Sequence, residues 1–146
     1  MTQAAALALS IAEIDQLIDT HFPAIHYGAR TLTIDALTAE GATVRLQAHP
    51  KNLRPGGTVS GPAMFTLADY GIYVAILAHF GASDLQSVTT NITLNFVARP
   101  KPGAITGHVR LLKAGRNQIV AEMSMCTHDR VLVAHAIATY ARGQGR

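Results

Sequence analysis

Hydrophobic and polar residues alternate with a period of two in several stretches of the chain, a pattern typical of strands with one buried face. Two short stretches, 31–38 and 42–49, flank Glu40-Gly41 and predict a hairpin. Four later stretches cover 86–97, 104–113, 117–127 and 131–141, and their short connections predict an antiparallel meander. Within the first of these, one predicted face carries Val88, Ile92, Leu94 and Phe96, and the other carries Ser87, Thr89, Asn91, Thr93 and Asn95.

Two stretches have helical patterns instead. Ser10 and Glu13 form a capping box before apolar residues at helical spacing, and Pro23 predicts that this short helix ends after Phe22. Residues 61–80, GPAMFTLADYGIYVAILAHF, are almost all apolar and too long for a strand, so they predict a helix surrounded by protein. The predicted fold is α+β, one domain over 1–146: a curved antiparallel sheet of about six strands around a long central helix, with a short N-terminal helix.

Composition narrows the classes of function. Hydrophobic residues make up 49% of the chain and charged residues 14%, which favours burial of apolar surface between subunits. The formal net charge is +3, but lysines and arginines are scattered, so we expect no nucleic-acid partner. The single cysteine, Cys126, excludes an internal disulfide and fits a reducing compartment. Pro62, Asp69 and His79 argue against a membrane span over 61–80, so we expect a cytoplasmic protein.

Asp69 is the carboxylate within the apolar helix and the first candidate for chemistry. Moving it out of water costs free energy unless it is paired, hydrogen-bonded or protonated. At helical spacing, Phe65 and Ile72 are expected to desolvate it, and Thr66 and Tyr73 to donate hydrogen bonds to it. A general base fits this setting. A structural carboxylate that caps a loop or meets an arginine across an interface fits it equally well.

The stretch RPGGTVSGP, residues 54–62, leads into the apolar helix and is the second candidate. Free N–H groups and the dipole at a helix N terminus favour negative charge, and Gly61 permits close approach of another molecule. Gly61 precedes Asp69 by about two turns, so a donor for an oxyanion and a carboxylate are predicted to share one cleft. A flexible loop capped by Ser60 would explain the same residues.

Other familiar site motifs do not occur in the chain. The seven histidines show no metal-ligand spacing such as HExxH, so we expect no metal. The glycine-rich stretch lacks the GK[ST] of a phosphate-binding loop, and Ser60 does not lie in a G-x-S-x-G turn.

Taken together, GGTVSGPAMFTLADYGIYVAIL, SVTTNITLNFVARPKPG, AGRNQIVAEMSM and LVAHAIATYAR resemble the PaaI-type acyl-CoA thioesterases of the hotdog-fold superfamily. The resemblance covers residues 50–142. It implies hydrolysis of acyl-CoA thioesters to the free acid and coenzyme A, with no cofactor apart from the coenzyme A of the substrate. It also implies a homo-oligomer in which two chains pair their sheets edge to edge, dimers pair into tetramers, and active sites lie between subunits.

The resemblance assigns roles by position. Asp69 resembles the catalytic carboxylate, acting as general base or nucleophile, and Gly61 the backbone donor that polarises the thioester carbonyl. Ser87 resembles a residue of the long strand that, in some members, helps to place the attacking water from the partner chain. The wider set of candidate substrate-binding residues is Asn52, Arg54, Ser60, Pro62, Thr66, Tyr73, Arg99, Lys101 and Arg116. The last three are candidates for phosphate contacts, with solvated turn charges as the alternative.

The chain departs from the family pattern beside Gly61. Ser60 and Pro62 stand where the family usually has histidine and glycine, and Arg54 replaces a common asparagine, with Asn52 nearby. These departures leave open a non-catalytic acyl-CoA binding module. A hotdog hydratase or dehydratase is a weaker alternative, because its expected histidine base is missing from the glycine-rich loop and the early part of the helix.

Overall fold

The computed structural model describes residues 6–26 and 28–143, which form a six-stranded sheet curved around one long helix. The helices are α1 (Ile11–His21) and α2 (Gly61–Phe80). The strands are β1 (Leu32–Leu37), β2 (Gly41–Gln47), β3 (Val88–Phe96), β4 (Ala104–Ala114), β5 (Gln118–Thr127) and β6 (Leu132–Ala141). The predicted α+β architecture is confirmed. The predicted domain also includes residues 1–5, 27 and 144–146, which lie outside the described residues.

The strand order is β1-β2-β4-β5-β6-β3, with every neighbouring pair antiparallel. The predicted meander is therefore correct for β4, β5 and β6 but wrong for β3, which pairs with β6 and not with β4. The seven-residue connection over 97–103 contains Pro100 and Pro102, so it is not a tight hairpin turn. It carries the chain across the sheet to β2, and β3 is left as an edge strand.

Local capping sets the bounds of both helices. The Ser10 side chain accepts a hydrogen bond from the Glu13 N–H at 3.2 Å, and the Glu13 carboxylate reaches back to the Ser10 N–H, as the capping box predicts. Helix α2 begins after Ser60, whose hydroxyl accepts from the Ala63 N–H at 3.2 Å. It ends at Phe80, and the residue that follows, Gly81, has a φ of 87° that suits glycine.

Helix α2 lies very close to the sheet because residue 71 is glycine. A Cβ atom built on Gly71 would lie 2.2 Å from Met123 Cε and 2.7 Å from Val44 Cγ2. By length and composition α2 would suffice to cross a membrane, yet 72% of its most apolar stretch is buried inside the protein. It is the core of the fold, and the sheet supplies its surroundings.

A bulge in β3 decides which of its side chains face α2. Thr89 lies opposite Tyr140, and Asn91 lies opposite Thr139, so Thr90 has no partner residue in the ladder. One extra residue shifts the alternation by one position and exchanges the two faces.

The exchange corrects the predicted faces at the start of β3. Val88 was expected to face the core but is 58% exposed, whereas Ser87 is only 7% exposed. Thr89 faces the side occupied by Asp69, to which it donates a hydrogen bond. Beyond the bulge the prediction holds for Ile92 and Leu94, which pack against the core.

Candidate active site

The Asp69 carboxylate is held by two hydroxyl groups from the sheet. Thr89 Oγ1 donates to Oδ1 at 2.7 Å. The single Tyr140 hydroxyl hydrogen is shared between the same Oδ1 and the backbone oxygen of Asp69, the latter at 3.1 Å from the phenol oxygen. Among residues 6–26 and 28–143, no donor to Oδ2 is found. One oxygen is thus fixed in direction, and the other remains available to a molecule in the adjoining space.

Burial keeps Tyr140 in its donor form. The Tyr140 side chain is 2% exposed. Burial, together with the negative charge of Asp69, raises the pKa of Tyr140 above its ordinary value, so the phenol stays protonated at neutral pH. The pKa of Tyr73 is raised by the same two causes.

The predicted partners of Asp69 on its own helix are wrong. Thr66 Oγ1 donates to the Pro62 carbonyl at 3.1 Å, because a helical threonine reaches the carbonyl four residues before it. The Tyr73 hydroxyl extends past Asp69 and donates to the Leu85 carbonyl at 2.7 Å. Spacing along a helix predicts which side chains are neighbours, but the nearest free acceptor decides where a hydroxyl donates.

Asp69 opens into a cavity of about 330 Å³ that is mainly apolar. Its lining comes from His21, Phe22 and Ile25 near the N terminus, Asp69 and Tyr73 on α2, and residues 85–89. Neither Phe65 nor Ile72, the predicted apolar neighbours of Asp69, lines it. The apolar lining comes instead from Phe22 and Ile25, which follow α1, and from Leu85.

Ser87 lines the cavity of Asp69 in its own chain, whereas the resemblance implied a contribution from the partner chain. Its Oγ accepts a hydrogen bond from the Gly143 N–H at 3.0 Å. The structure thus brings together Asp69, Ser87 and Tyr73 from the predicted set.

Gly61 lies elsewhere, in a groove of about 680 Å³ that is also lined by Arg54, Phe96 and Arg99. Eight residues of helix separate Gly61 from Asp69, which is about 12 Å along the axis. The groove touches the end of β3, and the Asp69 cavity touches its beginning. The predicted common cleft is therefore wrong for a single chain.

The first turn of α2 leaves one N–H group free in this groove. Pro62 has no N–H, the Ala63 N–H is bound by the Ser60 hydroxyl, and the Met64 N–H donates to the Ser60 carbonyl at 3.2 Å. Among the described residues, no acceptor is found for the Gly61 N–H. A helix N terminus with one free donor suits a developing negative charge.

Comparisons with known proteins identify the family of the chain. Residues 56–134 match the model of the thioesterase superfamily. The chain belongs to the thioesterase superfamily. A protein from Silicibacter sp. TM1040 assigned as a thioesterase is 36% identical to it, with a TM-score of 0.82 and 95% of each chain covered.

Two further relatives widen the comparison of this thioesterase-superfamily chain. A protein of Saccharolobus solfataricus assigned as an esterase is 24% identical over 132 residues, 90% of this chain and 85% of that one. A hypothetical thioesterase from Streptococcus pneumoniae TIGR4, solved with coenzyme A, is 21% identical, with a TM-score of 0.75 and coverage of 89% and 99%. The last of these similarities shows the hotdog fold alone.

Two predicted ligand residues have structural tasks in this thioesterase-superfamily chain. The Asn52 side chain accepts from the His49 N–H at 2.9 Å and thereby caps a short 3₁₀ turn. The Ser60 hydroxyl caps α2. Arg54, by contrast, is exposed and lines the Gly61 groove.

The three predicted phosphate contacts lie at two ends of the sheet. Arg99 lines the Gly61 groove and a neighbouring hollow, where Lys101 and His128 also lie. Arg116 belongs to the connection between β4 and β5, at the opposite end. Within one chain they do not form a single phosphate site. Among residues 6–26 and 28–143, no group of three or more histidine, cysteine, aspartate or glutamate side chains is placed to hold a metal.

Sequence reasoning missed the two donors to Asp69 and the N-terminal wall of the cavity. Tyr140 carried a recognisable signal, since it follows Ala134, Ala136 and Ala138 at inward positions of β6 and its hydroxyl needs a buried partner. The placement of Phe22 had no local signal, because it depends on how the segment after α1 packs.

Proposed function

We propose that this thioesterase-superfamily chain is a PaaI-type acyl-CoA thioesterase that releases a free acid and coenzyme A. The observation that carries the proposal is the Asp69 carboxylate, with Oδ1 held by Thr89 and Tyr140 and Oδ2 free beside an apolar cavity. An oriented carboxylate next to apolar surface suits the activation of water against an acyl group.

The acyl group occupies the Asp69 cavity in this proposal. This cavity has a volume of about 330 Å³. Its walls, including Phe22, Ile25 and Leu85, offer hydrocarbon surface. They favour an apolar acyl chain or ring over a polar one.

A second copy of the chain supplies the donor for the oxyanion. The free edge of β3 is long and its ends, Val88 and Phe96, are 58% and 54% exposed, as expected of a strand that pairs with another. Antiparallel pairing of two such edges around a two-fold axis near Ile92 brings the Val88 end of one chain beside the Phe96 end of the other. The Asp69 cavity of one protomer then adjoins the Gly61 groove of its partner.

The chemistry follows from this composite site. Asp69 Oδ2 takes a proton from a water molecule while the water oxygen attacks the thioester carbon. The carbonyl oxygen becomes negative and accepts a hydrogen bond from the partner's Gly61 N–H. The tetrahedral intermediate collapses, the C–S bond breaks, and the thiolate of coenzyme A takes the proton from Asp69.

The nucleotide part of the substrate lies along the Gly61 groove. Arg54 and Arg99 line this groove, and arginine forms strong charge-assisted hydrogen bonds with phosphates. The Streptococcus pneumoniae neighbour was solved with coenzyme A, which supports a thioester of that carrier as the substrate class.

A panel of acyl-CoA esters tests the activity, with thiol release and ligand binding measured on the same samples. We expect wild-type protein to release thiol and Asp69→Asn to lose on the order of 10²–10⁴-fold in kcat while still binding the ester. Binding without thiol release by either protein would indicate the non-catalytic binding module instead.

The shared site is tested with a matched pair at residue 61. Gly61→Pro removes the free N–H, and Ser60 already has the extended backbone (φ −72°, ψ 155°) that a following proline requires. Gly61→Ala keeps the N–H and adds the same Cβ beside Phe96, so it is the control. Mixing inactive Gly61→Pro with inactive Asp69→Asn should restore about a quarter of the wild-type sites if each site spans two chains. A mixture as inactive as its components would exclude a site of this kind.

A further inference from the structure

The chain immediately after β6 is fastened to the residues that precede β3. The Arg142 guanidinium donates to both carboxylate oxygens of Asp84, at 2.7 and 3.3 Å. The next residue, Gly143, donates its N–H to Ser87 Oγ at 3.0 Å. Ser87 in turn donates its backbone N–H to the Asp84 carbonyl at 3.0 Å. Asp84 is therefore linked to both residues of the Gly143–Ser87 hydrogen bond. It is linked to Gly143 through the neighbouring Arg142, and to Ser87 through the Ser87 backbone N–H.

The Asp84–Arg142 pair has little freedom to move. Asp84 is completely buried, and the Arg142 side chain is 15% exposed. The guanidinium also lies 3.9 Å from the centre of the Phe80 ring and donates to the Gly115 carbonyl at 3.2 Å. Buried ion pairs contribute little net stability compared with apolar residues of similar size, but they specify geometry where their hydrogen bonds are complete. The Asp84–Arg142 pair is therefore better explained by its effect on where the backbone at residues 142 and 143 lies than by its contribution to the stability of the fold.

Gly143 fits its place only because it has no side chain. A Cβ atom there would lie 2.2 Å from the carbonyl carbon of Gln86 and 2.3 Å from its oxygen. The N–H of residue 143 reaches Ser87 through this close approach of two backbones, and Arg142, next in the chain, sets where that backbone lies.

The bond from Gly143 leaves the Ser87 hydroxyl hydrogen for the cavity. A serine hydroxyl has one hydrogen to donate and two lone pairs, and the Gly143 N–H occupies one lone pair. Among the described residues, no acceptor for the hydrogen is found. A hydroxyl that accepts one hydrogen bond is polarised and donates a stronger one. Ser87 lines the same cavity as Asp69, so its hydrogen is available to whatever lies there.

The structure assigns to the Asp84–Arg142 pair the role of a positioning device, which holds Ser87 as a hydrogen-bond donor to the water that Asp69 activates. The water accepts from Ser87 and donates to Asp69 Oδ2, which leaves a lone pair of its oxygen to attack the acyl carbon. Asp84 and Arg142 touch neither water nor substrate and act through Ser87. This inference rests on the proposed thioesterase activity.

The test combines Arg142→Met with Ser87→Ala and measures kcat and KM for acyl-CoA hydrolysis. We expect Arg142→Met and Ser87→Ala each to lower kcat by about 10-fold, with KM changed less than about 2-fold, since one hydrogen bond is lost. The double variant should be no slower than Ser87→Ala alone, and Arg142→Lys should recover part of the loss. Arg110→Met is the control for loss of an arginine–carboxylate pair, because Arg110 donates two hydrogen bonds to Glu122 Oε1 at an exposed position outside this cavity, and it should leave kcat unchanged.

Two further variants guard against a folding defect. Asp84→Asn/Arg142→Met leaves no unpaired buried charge, so it serves if Arg142→Met does not fold. Gly143→Ala retains both residues of the ion pair but forces the backbone of residue 143 away from Gln86, so it should lower kcat at least as much as Ser87→Ala does. Losses that multiply in the double variant, or an unchanged kcat in Arg142→Met, would overturn the inference while leaving the thioesterase activity intact.

Hydrogen-exchange protection of the Gly143 amide, corrected for the intrinsic effect of neighbouring side chains, provides a readout that does not depend on activity. It should fall to a similar extent in Ser87→Ala and in Arg142→Met, and stay as in wild type in Arg110→Met. Protection that falls in Ser87→Ala but not in Arg142→Met would contradict the positioning. If both variants lose protection but wild-type protein hydrolyses no thioester, the proposed function has failed, and with it the catalytic purpose of the contact.

Discussion

The Tyr140 hydroxyl shares its one hydrogen between Oδ1 and the backbone oxygen of Asp69, a residue 71 positions earlier in the chain. This contact joins the last strand to the middle of the central helix. It fixes the direction of the candidate catalytic carboxylate, so the sheet as well as the helix determines where the free Oδ2 points.

Replacing Tyr140 by Phe should show how much the orientation of the Asp69 carboxylate, as distinct from its presence, contributes to kcat. The ring remains buried and only the hydroxyl is lost, so we expect kcat to fall by about 10-fold or more with KM nearly unchanged. Stability should fall by about 1 kcal/mol. Steady-state kinetics and urea unfolding measure the two effects, and a variant as active as wild type would show that Thr89 alone suffices to orient Asp69.

Tyr70→Phe is the matched control, with the opposite expectation for stability. Tyr70 is fully buried, and no hydrogen-bond partner for its hydroxyl is found among the described residues. Removing an unpartnered buried hydroxyl should raise the free energy of unfolding by about 1 kcal/mol and leave kcat unchanged. A loss of stability on this change would mean that the hydroxyl has a partner after all, such as a bound water.

Phe22 should determine which acyl groups fit. Its ring meets that of Tyr73 edge to face, with centroids 6.4 Å apart, at the wall of the Asp69 cavity. Phe22→Ala should shift the preference in kcat/KM toward acyl chains longer by a few carbons. Stability should change little, because Phe22 is 42% exposed.

Phe65→Ala controls for the loss of an exposed phenylalanine, since Phe65 is 47% exposed and lines neither cavity. Its acyl-chain profile should match that of wild type. The same profile for Phe22→Ala would place the acyl group elsewhere.

His26 should make the fold less stable in mild acid. It is 7% exposed, and burial, followed by the charge of Arg30, lowers the pKa of His26 below its ordinary value of 6.5. Below pH 6.5 the unfolded chain takes up a proton that the folded chain does not, so stability is lost as the pH falls toward the folded pKa. The slope contributed is at most about 1.4 kcal/mol per pH unit.

Unfolding free energies of wild type and His26→Gln between pH 7.5 and 5.5 measure this contribution. The difference between the two proteins should shrink or reverse as the pH is lowered. His128→Gln, at an exposed turn, is the control and should follow wild type. A pH-independent difference for His26→Gln would contradict the expected direction of the effect.

The local elements were predictable because their signals are local. The capping box at Ser10, the hairpin around Gly41 and the apolar run of α2 all depend on residues a few positions apart, and the structure confirms them. The resemblance of the glycine-rich loop and the helix to known thioesterases rested on the same continuous stretches, and the superfamily match includes them.

The place of β3 and the surroundings of Asp69 were not predictable in this way. Pairing of β3 with β6 joins segments separated by two whole strands, and short connections alone favoured a different neighbour. The bulge at Thr90 has no distinctive residue, yet it turns Thr89 toward Asp69. The donors to the carboxylate therefore emerged only from the three-dimensional register.

The close contact of Gly71 with Val44 and Met123 bears on how enzymes of this shape diversify. Helix α2 packs so tightly on the sheet at Gly71 that a Cβ atom there would overlap its neighbours, so the helix that carries Asp69 can hardly shift. Phe22, by contrast, lies at the periphery of the Asp69 cavity and is 42% exposed. Mutations can therefore change the cavity wall at Phe22 while the position of Asp69 is preserved. In the proposed thioesterase, new substrate preferences would evolve at that wall first, with little loss of stability.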